Sequence, residues 1–174
     1  VGLLSAFRRD RRSPQEKRFG TGLWRQHRER FSRAVDRFFE TASALHEEHG
    51  ASDAAAQIDE LAQLTLVLNE LDERVAVLAE AAQRAVPLEG LVFPAEGRTR
   101  LGDVPERLSR ASALVAQALQ SAMMLRARLT TGPHGPHGQS ARSAEYADAA
   151  RTYVERAAGL IAEAEAGLPP DLRR

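Results

Sequence analysis

Two pairs of histidines carry the clearest coordination chemistry in this sequence. His46 and His49 stand three apart in LHEEHG, and His134 and His137 stand three apart in GPHGPHG. On a helix that spacing puts two side chains on one face, and neutral imidazole is the commonest protein ligand for a transition metal. Joined by a carboxylate from Glu47, Glu48 or Asp53, the four histidines would suit zinc or nickel. A plainer reading competes with this one. The helix dipole alone favours histidine in a last turn, and Gly-Pro-His repeats suit a flexible loop. Nothing else in the chain calls for a cofactor, and no Glu-x-x-His of the kind used by di-iron bundles occurs.

The second distinctive chemistry is cationic. The chain opens VGLLSAFRRDRRSPQEKRFGTG. On a short helix Leu3, Leu4 and Phe7 share one face, while Arg8, Arg9, Arg11 and Arg12 turn onto the other. Apolar residues able to enter a headgroup boundary beside cations that meet anionic lipid make an interfacial segment. Each basic residue near such a surface contributes about 1 kcal/mol, so the charges assist an apolar insert that is small by itself. Arg98 and Arg100, in PLEGLVFPAEGRTRLGD, are assigned to the same docking surface. The competing readings are a solvated tail, an acidic groove on a partner protein, and nucleic acid. Basic runs are the usual footprint on phosphate, but no recognition-helix signature accompanies this one.

Catalytic motifs are missing. There is no Walker loop, no Gly-x-Gly-x-x-Gly, no Gly-x-Ser-x-Gly and no cysteine. No catalytic residue is assigned, and the chain reads as non-enzymatic.

The elements that must position these groups follow from periodicity. Trp24, Arg28, Phe31, Val35, Phe38, Ala42 and Leu45 alternate at spacings of four and three, and Gly50 stops the run. A second helix follows Ser52, a good N-cap, and repeats Leu61, Leu64, Leu68, Leu71, Val75, Leu78 and Ala82 before Pro87. A third starts near Asp103 and Pro105 and runs Leu108, Ala111, Val115, Ala118, Ala122, Leu125. A fourth follows Ser140 with Ala147, Ala150, Val154, Ala157, Ile161, Ala164 and Leu168. No comparable segment alternates with period two, so no sheet is expected.

Such seams suit helices packed at shallow angles. The short links at 50–52 and 131–139 make each flanking pair an antiparallel hairpin. The expected fold is therefore all-α, an antiparallel up-down-up-down four-helix bundle of two long helical hairpins with a basic, flexible N-terminal head. Residues 1–22 form the head, 23–168 the bundle and 169–174 a tail, with helices at about 23–49, 53–86, 104–130 and 141–167. Leu91, Val92 and Phe93 are expected to fold back over one open end of the core. An extended coiled coil completed by dimerisation is the alternative architecture. Leu66 and Val77, nearly opposite the main seam of the second helix, offer a further seam for a homo-oligomer.

Charge divides the chain in two. Residues 1–33 hold ten basic and three acidic side chains, and the rest hold fourteen and twenty-one, so a net charge of zero hides a basic head on an acidic body. All the basic residues but Lys17 are arginines, a bias that a GC-rich bacterial genome produces. No apolar run approaches the roughly 20 residues of a membrane span, and charges following a very short apolar stretch do not make an export signal. The expected role is that of a cytoplasmic interaction or scaffold protein, peripheral at the inner face of a membrane. It docks through its basic end to an anionic surface or an acidic partner. A metal- or small-ligand-binding bundle using the histidines is the alternative, and association with nucleic acid ranks behind both.

Overall fold

The computed structural model describes residues 13–131 and 136–173, and of residues 136–141 the backbone alone. Six α-helices pack together, and the described residues contain no strand. They are α1 (Pro14–Phe19), α2 (Leu23–His49), α3 (Ala55–Ala85), α4 (Ala95–Leu101), α5 (Val104–Thr131) and α6 (Pro136–Gly167), followed by a 3-10 turn at Pro170–Leu172. None of them, among the described residues, is long and apolar enough to cross a membrane.

The apolar seams are what the long helices bury. Phe31, Phe38 and Leu45 of α2, Ile58, Leu61, Leu68 and Val75 of α3, and Val115, Ala118 and Leu125 of α5 are all but inaccessible to water. So are Ala150, Ala157, Ile161 and Ala164 of α6. Burial of each large side chain stabilises the fold by about 1.5–3 kcal/mol. The small seam residues of α5 and α6 let those two helices make the most extensive contact in the molecule.

Two boundaries differ from expectation. α3 begins at Ala55 because Ser52 is taken into a turn, its Oγ accepting from the Ala54 N–H at 3.3 Å. α6 begins at Pro136, before Ser140, proline being a good first residue for a helix. α1 and α4 are additional short helices.

Cross-helix contacts give the directions. Along α2 the partners on α3 and just past its end fall in number, from Val86 opposite Trp24 through Asp72 opposite Arg28 to Asp59 beside His46. This pair is antiparallel. Along α3 the partners on α6 rise, Arg151 with Glu60 and Glu165 with Arg74, so that pair is parallel. α2 and α5 are parallel too, with Arg30 across a groove from Ser109 and Glu48 bridged to Arg126. Each long helix thus has one antiparallel and one parallel neighbour. Antiparallel packing holds inside each hairpin and not between the hairpins. The reason is the 86–103 segment, long enough with α4 inside it to lead the chain from α3 to α5 across a diagonal of about 14 Å.

Two arginines bridge between helices. Arg74 makes a two-pronged bond to Glu165 of α6 at 2.9 and 2.7 Å. Arg28, read from spacing as part of the α2 seam, is half-buried and forks onto Asp72 of α3 at 2.6 and 2.9 Å. The inward place beside Trp24 belongs to His27.

Candidate functional site

One end of the molecule gathers α1, the start of α2, the end of α3, α4 and the segment after α6. α1 opens with a reciprocal cap: Ser13 Oγ accepts from the Glu16 N–H at 3.2 Å, and the Glu16 carboxylate accepts from the Ser13 N–H at 2.8 Å. Phe19 is buried in the core, and Arg18 forks onto Glu80 of α3 at 3.0 and 2.9 Å. Residues 14–19, expected within a loose head, are therefore packed against the long helices. Gly20 makes the turn that follows, at φ 68°, where a side chain would be strained.

The centre of this end is aromatic. Trp24 is fully buried, its indole N–H donating to the Val86 carbonyl at 3.0 Å. Phe93 meets it edge-on at 5.6 Å, and the Arg98 guanidinium lies 5.7 Å from the Phe93 centroid. Gly22 is needed for closeness, because a Cβ there would collide with the backbone of Glu89 and Gly90. The gain is a backbone bond from the Leu23 N–H to the Gly90 carbonyl at 3.0 Å.

Of the three residues expected to cover the core, only Phe93 does so. Leu91 is 59% exposed and Val92 83% exposed, and the covering falls to Leu101 of α4. Leu91 and Val92 form an apolar tip on the outside of this end.

The arginines assigned to docking are divided. Arg98 donates to Glu106 at 2.7 Å, and Arg100 donates to the Ala85 carbonyl at 3.2 Å and to Asp171 at 3.4 Å. Both remain about half exposed, but their charges already have partners in the fold. Arg173 donates to the Leu168 and Ala166 carbonyls, satisfying the last turn of α6. Leu3, Leu4, Phe7, Arg8, Arg9, Arg11 and Arg12 lie outside the described residues, which begin at the same end of the molecule.

At the opposite end, His46 Nδ1 is 3.9 Å from Asp59, and His49 Nε2 is 4.0 Å from Glu48. Glu48 also holds Arg126, whose hydrogen bonds, helped by its charge, keep the carboxyl below the ordinary glutamate range. Among the described residues no three metal-ligating side chains come together. His134 lies outside the described residues, as does the side chain of His137.

The histidine that sequence reasoning passed over is the fifth. His27 is 7% exposed, 6.3 Å from the Trp24 ring, and its Nε2 has no hydrogen-bond partner among the described residues. Burial, helped by the charge of Arg30 and opposed by Glu106, pushes its pKa down to about 4. The signal was present: positions 24, 27 and 31 keep the same three-four step as the rest of the seam.

No family model, curated protein or solved structure matches this chain.

Proposed function

We propose that this chain is a non-enzymatic docking protein that meets an anionic membrane surface through the end carrying α1 and α4. The architecture in this reading is a four-helix bundle of two hairpins with a basic N-terminal head, working at the cytoplasmic face of a bacterial membrane. The observation that carries it is the adjacent exposure of Leu91 and Val92 at the end where the described residues begin. A rigid base holds that tip, since Phe93 is fixed on Trp24 and Gly90 is tied to Leu23. The pairing of Arg98 and Arg100 leaves the attraction to Arg8, Arg9, Arg11 and Arg12, and the apolar insert to Leu3, Leu4 and Phe7 with the tip.

Flotation with vesicles tests the reading. Wild-type protein should float with phosphatidylglycerol vesicles at low salt and stay behind with phosphatidylcholine. Leu91→Glu with Val92→Glu should reduce flotation at every salt concentration. Replacing Arg8, Arg9, Arg11 and Arg12 by glutamine should remove the salt dependence. Failure to float with anionic vesicles, together with salt-steep binding to DNA or RNA, would replace the membrane by nucleic acid.

A further inference from the structure

α2 and α5 lie side by side with an open groove of about 480 Å³ between them, whose lining includes neither Leu91 nor Val92. Arg30, Arg33 and Arg37 stand along its α2 rim. Seven residues of helix place the outer two about 10.5 Å apart. All three are exposed, and none closes a salt bridge among the described residues. That sets them apart from Arg28, Arg74, Arg107 and Arg126, each of which grips a carboxylate. Between the rims lie Ala34 and Leu119, half-buried, and Ser112, which is buried and donates to the Leu108 carbonyl of its own helix, while Ala113 and Ala116 stand on the α5 rim. Met123, 55% exposed, lines a separate depression farther along the same two helices.

The outward face of α3 has the opposite character. Leu66, Glu70, Glu73 and Val77 follow at spacings of four, three and four, which makes one stripe. Leu66 is 71% exposed and Val77 59% exposed. Glu70 and Glu73 are exposed and close no salt bridge among the described residues, Arg74 being held by Glu165. Two exposed carboxylates one turn apart, neither in a salt bridge among the described residues and with an apolar residue on either side, are what a groove with a cationic rim and small side chains between would accept.

We infer that the α3 stripe of one molecule packs in the α2–α5 groove of a second copy, with Glu70 and Glu73 opposite the arginines. Shape favours this occupant, because a trench between two parallel helices takes a third helix along its length. A nucleic acid backbone would use the arginines but not the apolar side chains of Ala34, Leu119, Ala113 and Ala116 beside them. The two surfaces lie on different sides of the molecule, so the contact is head-to-tail. It leaves a free groove at one end and a free stripe at the other, and assembly continues beyond a dimer. A contact of two to three helical turns is small, which makes the association weak.

Sedimentation velocity on the full chain, from about 5 to about 500 μM, tests the inference. Wild-type mass should rise with concentration above the 19.0 kDa of one chain, and should fall back in high salt. Arg33→Glu with Arg37→Glu should stay monomeric, and so should Glu70→Arg with Glu73→Arg. These positions are exposed, so both variants should keep the wild-type circular dichroism and melting temperature. Mixed in equal amounts, the two variants should associate again, since the acidic stripe of one meets the basic groove of the other and the two reversed surfaces are also of opposite charge. A wild-type protein monomeric throughout overturns the inference. So does assembly that survives either double substitution, or a mixture that stays monomeric.

Discussion

The indole N–H of Trp24, on the first turn of α2, donates to the carbonyl of Val86 just past the end of α3, 3.0 Å away. This bond closes the first hairpin at its open end and fixes the start of the segment that carries Phe93 and the exposed tip. Trp24→Phe keeps an aromatic ring but removes the donor and some volume. The expected loss is about 2 kcal/mol or more, from an orphaned carbonyl and a small cavity. Chemical denaturation followed by circular dichroism measures it.

His27 should give the fold a pH dependence of known sign. Its pKa in the folded protein is about 4, below the ordinary 6.5, so the unfolded chain binds the proton first as pH falls. The stability associated with neutral His27 is fully present above pH 6.5 and is lost on the way down to about pH 4, by up to roughly 3 kcal/mol. His27→Phe should lack this component. Denaturation curves of both proteins at several pH values between 4 and 7 read the difference, which removes the contribution of carboxylates common to the two.

The α3 seam separates buried from outward positions within two residues. Leu68 is fully buried, whereas Glu70 is exposed. Leu68→Asp should unfold the domain, because an unpaired charge there costs several kcal/mol. Glu70→Ala should leave the melting temperature within about 2 °C of wild type, an effect below 0.5 kcal/mol. Equal tolerance of the two substitutions would contradict the assigned seam.

The helices and their buried faces were legible because apolar spacing acts locally, and one turn of sequence states which side faces inward. Leu61, Leu64, Leu68, Leu71 and Val75 needed nothing more. What spacing does not encode is which helix lies beside which. The parallel packing of α3 on α6 arises from the path of residues 86–103, and no single segment shows it. Arg74 illustrates the consequence, since its carboxylate partner Glu165 is 91 residues away in sequence.

At the candidate site the difficulty was one of competing uses for the same residue type. Arg98 and Arg100 read as free cations by composition, but Glu106 and Asp171 reach them only once α4 and the turn after α6 are in place. Leu91, Val92 and Phe93 read as one apolar cluster, yet only Phe93 finds an aromatic partner. His27 was legible, because its spacing from Trp24 and Phe31 is that of a core residue, but the adjacent Arg28 fits a three-four pattern equally well.

Entry of the Leu91–Val92 tip into an anionic bilayer is the central claim, and a fluorophore at that tip tests it most directly. The chain has no cysteine, so Val92→Cys gives one labelling position, and Phe39→Cys gives an exposed apolar control on α2, outside both the α3 stripe and the α2–α5 groove. Each is labelled with an environment-sensitive dye and mixed with phosphatidylglycerol vesicles, with and without brominated acyl chains. The account predicts a blue shift and bromine quenching at position 92, little change at position 39, and no response at either to phosphatidylcholine. A dye at position 92 that keeps its aqueous spectrum on vesicle-bound protein, or a larger shift at position 39, would contradict it.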